Sequence, residues 1–428
     1  MTSESPAPRA TYRLQLTPSF TFDDAANQMP YLDRLGISHA YLSPITEAVP
    51  GSLHGYDVTD PGRLRAELGG EEGFARLVAA ARRNGVGLLV DAVPNHMAAD
   101  PVANPWWRDV LEDGEQSPYA EWFDVEWHGP DPELSGRVLV PILAESLDAT
   151  LASRGAVLAL DRGRLVLRVP GTALPLGLQS VATVIGAASV RSENEALAEI
   201  GAETMLLLPG TTPESRRLRF GARARIHDRL EHVCATDPSA VEAIEERLAA
   251  VARDGRRLRA LIDVQAWVLD GWRQGTRRLN YRRFFTISSL VAMRADAAEA
   301  REPGIGRVLE LARDGTIDGI RVDHIDGMRD PGGWLGWLRA ASHRRWTLVE
   351  KVLAAGERVP EAWPADGTTG YEFAALLVRL SLDPHGASVL EVLRDRLCPR
   401  ATPVIEATGD RCSLSAIVPS AATASTAH

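Results

Sequence analysis

Hydrophobic positions along this chain switch between a period of two and a period of 3.6. Residues 10–16 (ATYRLQL) alternate as a first strand would. Phe22, Ala25, Met29, Leu32 and Leu35 then recur at helical spacing, and Thr21 with Asp24 makes a helix-start pattern. Gly36 closes this helix, and Pro30 is expected to kink or delay it. Residues 37–45 (ISHAYLSPI) read as a buried strand bounded by Pro44. A long Gly- and Pro-rich loop follows, then a helix over 71–85 that stops at Asn84-Gly85. Residues 86–96 (VGLLVDAVPNH) form a third strand whose Leu89 and Asp91 share a face. Strands and helices alternating at short connections predict an α/β architecture with parallel strands.

From residue 104 the rhythm breaks for roughly two hundred residues. Residues 104–127 are aromatic and acidic, 157–177 read as a small β-hairpin region, and 192–273 are mostly helical. Residues 280–294 lead back, and a helix near 303–315 ends at Gly315. The alternation resumes at 317–351, where IDGIRVDHIDGMRD closes one strand on Asp323 and WTLVEK closes the next on Glu350. Ile320 and Val322 share one face of their strand and Arg321 and Asp323 the other, while Leu348 and Glu350 lie together. The stretch between the two acids fits a helix returning the chain to a neighbouring parallel strand. Beyond Lys351 come a loop over 359–373, a helix to about Cys398, and a final stretch without periodicity that reads as disordered.

Barrel strands are counted at 10–16, 37–43, 86–91, 317–323 and 346–350, with at most one more, against the eight of a closed barrel. The fold expected is a (β/α)8 TIM-type barrel, incomplete at its C-terminal end, with a large and mostly helical insertion after the third strand. Residues 1–103 form the first part of the barrel, and 104–279 the inserted subdomain, β-rich and then helical. Residues 280–398 continue the barrel, and 399–428 are a tail. Residues 1–9 read as a disordered lead.

Composition narrows the chemistry. With 428 residues and a net charge of −10, and with its arginines dispersed, the chain is not expected to bind nucleic acid. Lys351 is its only lysine, directly after Glu350. Cys234, Cys398 and Cys412 lie far apart without ligand spacing, so neither a metal site nor a disulfide framework is expected. The N-terminus does not read as a signal peptide and no stretch is apolar enough to span a bilayer, which predicts a cytoplasmic protein without membrane contact. No cofactor is expected.

Four strand-end or loop motifs carry candidate chemistry. Asp91-Ala-Val-Pro-Asn95-His96 puts a carboxylate, an amide and an imidazole at one strand end, suited to clamping sugar hydroxyls or equally to making an ordinary turn. Tyr56-Asp57 in HGYDVTD offers a stacking ring and a hydroxyl acceptor, or a Gly-Tyr turn. In GIRVDH, Arg321 two residues before Asp323 is expected to hold that carboxylate ionised, unless the two form only a structural ion pair. Glu350 is a candidate acid, protonated if poorly solvated. Paired acids at the ends of adjacent barrel strands suit glycosyl transfer. Trp106, Trp107, Trp122, Trp127, Trp334, Trp337 and Trp363 are candidate stacking platforms, one or two of which are expected to touch ligand.

Taken together, DAVPNH, GIRVDH, VEK and GYDVTD resemble the successive strand-end motifs of the α-amylase superfamily. The run from TYRLQL to GYDVTDP, with LNYRRFF, GIRVDHIDG and VEKVLAAGERVPEAWPADGTTGYEF, resembles its malto-oligosyltrehalose synthase family. That resemblance covers residues 9–127 and 278–373. It implies Asp323 as nucleophile, Glu350 as general acid/base and Arg321 as the nucleophile's partner. It places Tyr56, Asp57, Asn95, His96 and His324 around bound glucose, supported by Asp91, and Lys351 is a further substrate-binding candidate beside Glu350. The implied reaction isomerises a maltodextrin, an isomerase activity within trehalose biosynthesis. The reducing-end α-1,4 linkage becomes α,α-1,1 by a retaining double displacement, with a trehalose-releasing hydrolase as a working partner. The sequence departs from the family in carrying Thr286 after RRFF where Asp is usual, and around WVLDGWRQG. Nothing after Phe373 matches the family's third barrel carboxylate, so a truncated or frameshifted product is expected. An amylase-type hydrolase and an inactive glucan-binding remnant stay open as alternatives.

Overall fold

A computed structural model describes residues 7–397, residue 355 excepted. The expected tail, most of the expected lead, Cys398 and Cys412 lie outside the described residues. Strand β1 (Thr11–Leu14) is followed by helix α1 (Phe22–Arg34). The Asp24 carboxylate accepts hydrogen bonds from the Thr21 N–H and hydroxyl, both at 2.8 Å, which satisfies donors at the helix start. Phe22, Ala25, Met29 and Leu32 face the core as their spacing requires. The expected delay at Pro30 does not occur: the helix starts at Phe22 and runs through Pro30, which sits on its exposed side. Strand β2 (His39–Leu42), helix α2 (Gly70–Arg83) and strand β3 (Gly87–Ala92) follow. Gly85 takes φ +64 just past α2, the left-handed turn that the Asn-Gly stop calls for.

A short strand β4 (His96–Ala98) leads into the insertion, which opens with helix α3 (Pro105–Asp113). The β-hairpin region is a three-stranded antiparallel meander over Val157–Asp161, Arg164–Val169 and Thr172–Pro175. Helices from Leu178–Ser192 to Gly255–Asp263 follow, the longest being α4 (Pro213–Thr236). Trp267–Gly271, inside the stretch expected to be mostly helical, is a strand pairing in parallel with Val138–Leu143. A tertiary partner overrides local preference there. Helix α4 is amphipathic in charge more than in hydropathy. Its Arg219, Arg223 and His227, each four residues from the next, face Asp113, Asp109 and Glu112 of α3. Arg219 grips Asp113 at 2.7 and 2.8 Å, and His227 Nε2 lies 2.5 Å from Glu112 Oε1. Arg223 bonds Asp109. Burial pushes the Asp109 carboxyl up to about 6 despite Arg223.

The chain returns through an antiparallel hairpin of β5 (Arg283–Phe284) and β6 (Ile287–Ala292), which pairs along β4. Helix α5 (Gly306–Arg313), strand β7 (Gly319–Val322), helix α6 (Pro331–Ala341) and strand β8 (Trp346–Val349) restore the β/α repeat. A two-residue strand β9 (Gly367–Thr368) then precedes helices α7 (Tyr371–Leu380) and α8 (Pro384–Leu397). Strands β1, β2, β3, β7, β8 and β9 form one parallel sheet, each beside the next in chain order. This is the curled sheet of an incomplete (β/α)8 barrel, with the single extra strand that the sequence allowed. One apolar core lies between this sheet and its helices and a second lies in the insertion. No helix among the described residues is long and apolar enough to cross a membrane.

Candidate active site

Parallel pairing sets the site in layers. Arg321 is level with Asp91 on one side and Leu348 on the other, so the side chains that share their faces project to the same side of the sheet. One step beyond, Asp323 and Glu350 end their strands together. The faces inferred from sequence for Arg321, Asp323, Leu348 and Glu350 are therefore the faces observed.

Arg321 is the centre of the arrangement. Its Nη1 donates to Asp91 Oδ1 at 2.8 Å and to Asp323 Oδ1 at 2.6 Å, and its Nη2 lies 2.9 Å from Glu350 Oε1. One guanidinium thus spans both candidate acids. Asp91 is buried and also accepts from the Tyr41 hydroxyl at 2.9 Å and the Tyr56 hydroxyl at 2.6 Å. Arg13 donates to Tyr56 at 2.9 Å. Burial and then the Asp91 charge push both phenols up, so they stay protonated donors. Glu350 accepts from the His324 N–H at 2.9 Å and from the Tyr371 hydroxyl at 3.0 Å. His324 sits at φ +49, which turns that N–H toward the carboxylate.

The protonation expected from sequence is reversed. Burial, then repulsion from Asp91, raises the Asp323 carboxyl above the carboxylate range, and Arg321 does not offset them. Burial acts on Glu350 as well. There Arg321, the His324 N–H and the Tyr371 hydroxyl outweigh it and hold the carboxyl below its usual range. The physical reason is that Arg321 is divided among three carboxylates, and of Asp323 and Glu350 only Glu350 gains two further donors. Of the two, Asp323 is the harder to ionise.

These groups border a cavity of about 820 Å³. Tyr56, Asp57, His96, Arg321, Asp323, His324 and Glu350 line it. Asp91 and Asn95 lie behind that lining: Asp91 props Arg321 and the tyrosines, and the Asn95 amide oxygen accepts from Arg282 at 3.3 Å. Lys351 does not line the cavity either. Its Nζ bridges Asp326 at 3.1 Å and Glu357 at 2.8 Å, tying together the loops that carry the two acids. Lys351, a substrate-binding candidate from the sequence, is here held by these two carboxylates. Both ring nitrogens of His96, and Asp323 Oδ2, are buried without a hydrogen-bond partner from the protein. Such atoms are rare in folded proteins, and a hydroxyl-rich ligand would satisfy them. Burial, then the neighbouring His324 and Arg282, pushes the His96 imidazole down to about 3, so it is neutral.

None of the seven tryptophans singled out lines the cavity. Trp107 and Trp334 are core residues, and Trp106 and Trp122 pack in an aromatic cluster with Tyr119. The phenyl and phenol rings in the cavity are those of Tyr41, Tyr56, Phe284, Phe285 and Tyr371. Sequence reasoning missed Arg13, Tyr41 and Tyr371. Arg13 was detectable as a cation within an alternating strand, Tyr41 as a phenol on a strand read as buried, and Tyr371 as part of the GTTGY loop. The acids lining the cavity among the described residues are Asp57, Asp323, Asp326 and Glu350, and Asp326 is engaged by Lys351. No group of residues suited to hold a metal ion occurs among the described residues.

A strand-end carboxylate pair on a parallel β/α sheet defines the class, and comparison with known proteins agrees with it. The family model for the α-amylase catalytic domain matches residues 22–144. An intracellular maltogenic amylase of Bacillus subtilis is 36% identical over 99 residues, 23% of this chain and 16% of its own length. The chain is thus similar to α-amylase-type proteins over its N-terminal part. Matches over most of the chain include maltooligosyl trehalose synthases. The putative enzyme of Mycobacterium tuberculosis is 36% identical over 391 residues, which is 90% of this chain and 40% of the relative. The structure of maltooligosyltrehalose synthase from Arthrobacter ramosus superposes with a TM-score of 0.67 at 32% identity, covering 95% of this chain and 42% of that one. A glycosyltrehalose synthase structure (DSM5389) gives 0.68 at 29% identity, over 93% and 44%. The chain thus spans about two fifths of the length of the curated relatives it matches at this length.

Proposed function

We propose that this chain carries the catalytic pair of an enzyme that isomerises maltodextrins, turning the reducing-end α-1,4 linkage into a terminal α,α-1,1 linkage. The observation that carries the reading is the bridging of Asp323 and Glu350 by the single guanidinium of Arg321. Carboxyls held this close suit retention, in which one attacks as a nucleophile, better than inversion, which leaves room for water between them.

In the first step an Asp323 oxygen attacks the anomeric carbon of the penultimate glucose. The bond to the terminal glucose breaks, and Glu350, which must hold a proton while Asp323 is ionised once substrate is bound, gives that proton to the leaving oxygen. The freed glucose stays in the cavity and turns. Its anomeric hydroxyl then attacks the glycosyl carbon while Glu350 takes its proton, and Asp323 is released. No water enters the balance, so water must be kept from the glycosyl carboxylate. The neutral imidazoles of His96 and His324, with Tyr56 and Asp57, are suited to hold the ring hydroxyls. The wider role read here is trehalose biosynthesis in the cytoplasm, with a separate hydrolase releasing trehalose from the product.

Incubating the purified chain with maltopentaose tests this. Loss of reducing ends with little free glucose is expected. Growth of reducing ends would instead indicate an amylase-type hydrolase, and no change in a folded sample would indicate a glucan-binding protein without turnover.

A further inference from the structure

We propose that Phe285, at the tip of the β5–β6 hairpin, determines specificity by covering the apolar face of the retained glucose and keeping water from Asp323; this rests on the maltodextrin reading above. The cavity is chemically two-sided. Strand ends supply its polar floor, whereas Phe284, Phe285, Ile287 and Leu290 of the hairpin supply a largely apolar wall. The hairpin returns at the far end of the insertion and is not a loose flap. Leu290, Val291 and Ala292 of β6 pair with Ala98, Met97 and His96 of β4, so the wall is tied to the strand that carries His96. Arg283 also donates to Ser288 at 3.0 Å across the hairpin.

At its tip Phe285 combines two features that the chain alone does not reward. Its backbone is in the left-handed region at φ +50, and its side chain is 69% exposed. The ring nevertheless lies over the site, 4.6 Å from the Phe284 ring and 4.9 Å from His324 between ring centres. Phe284 in turn rests 4.1 Å from His96. Strained, exposed aromatics over a cavity are what a ligand contact accounts for. A glucose ring has an apolar C–H face and hydroxyl edges. The phenyl suits that face, while His96 and the carboxylates suit the edges. With this side sealed, the hydroxyl left within reach of the glycosyl carbon belongs to the retained glucose.

Titration calorimetry with maltopentaose, alongside thermal melting, tests the assignment on the full chain, Phe285→Gly and Phe285→Trp. Phe285→Gly removes the ring and relaxes the positive φ together. It is expected to bind about tenfold more weakly while melting at the same or a higher temperature. Phe285→Trp keeps an aromatic surface and is expected to bind within about threefold of the unaltered chain. Unchanged affinity in Phe285→Gly overturns the assignment. So does a lower melting temperature with affinity intact, which would make the ring a folding element. If none of the three proteins takes up maltopentaose, the maltodextrin reading itself has failed, and this inference falls with it.

Discussion

One guanidinium serving three carboxylates makes Arg321 and Asp323 interdependent in a way that a pairwise ion bridge is not. Asp323 has its pKa raised in the folded state by burial and by Asp91. A raised carboxyl contributes stability fully below the unfolded value, about 3.9, and loses it as the pH climbs through the folded one. The unaltered chain therefore loses this contribution between acid and mildly alkaline pH. Asp323→Asn cannot ionise and is spared the loss. It is expected to gain on the parent by about 1–3 kcal/mol between pH 5 and pH 8, with turnover abolished. Melting curves at several pH values check this, and parallel curves for the two proteins would sink it. A more stable, inactive variant is the usual signature of a buried charge retained for chemistry.

At the scale of elements, the insertion is held on polar as well as apolar contacts. The turn Arg162-Gly163 takes φ +45 and φ +73 and docks against α4. A Cβ on Gly163 would lie 2.5 Å from the Glu231 Cα, a backbone atom that cannot swing aside. Gly171 offers a control, since it has φ +88 but nothing within 4 Å of a Cβ. Gly171→Ala is expected to cost about 1 kcal/mol for its conformation alone. Gly163→Ala should cost about 1–3 kcal/mol more for the overlap. Denaturant melts of the two variants measure the gap, and equal midpoints would show that α4 gives way easily. The β5–β6 hairpin raises the complementary point. Its sequence reads only as a lead back to the barrel, because neither strand has a strong period. Its pairing with β4 makes it a wall of the cavity.

Across the whole molecule, the two helices after β9 differ from all others in the barrel. Helix α7 has no buried residue, and Phe373, Leu376, Val378, Leu380, Val389, Leu390 and Leu397 are each more than half exposed. Large apolar side chains left exposed on two successive helices favour association in water. Sedimentation velocity of the chain as given is expected to show self-association that rises with concentration and falls in a Leu376→Glu, Leu380→Glu variant. A monomer at all concentrations would refute this. How far such a molecule is legible from its sequence depends on which physical interaction is local. Strand and helix periods, the turn glycines and the acids closing β7 and β8 are local, so the parallel β/α order and the positions of Asp91, Asp323 and Glu350 follow from the sequence alone. The converging faces are not local. Arg13 and Tyr41 join Arg321 through strand register across some three hundred residues, and Phe284 and Phe285 arrive from beyond the insertion. One or two tryptophans are expected from the sequence to touch ligand, yet none of the seven lines the cavity, because their own apolar area favours packing against the protein. Protonation is the least local property of all. The Arg321-Val-Asp323 spacing predicts an ionised aspartate, but burial and a third carboxylate from β3 decide otherwise, because desolvation and Coulomb terms sum over every element that closes on the site.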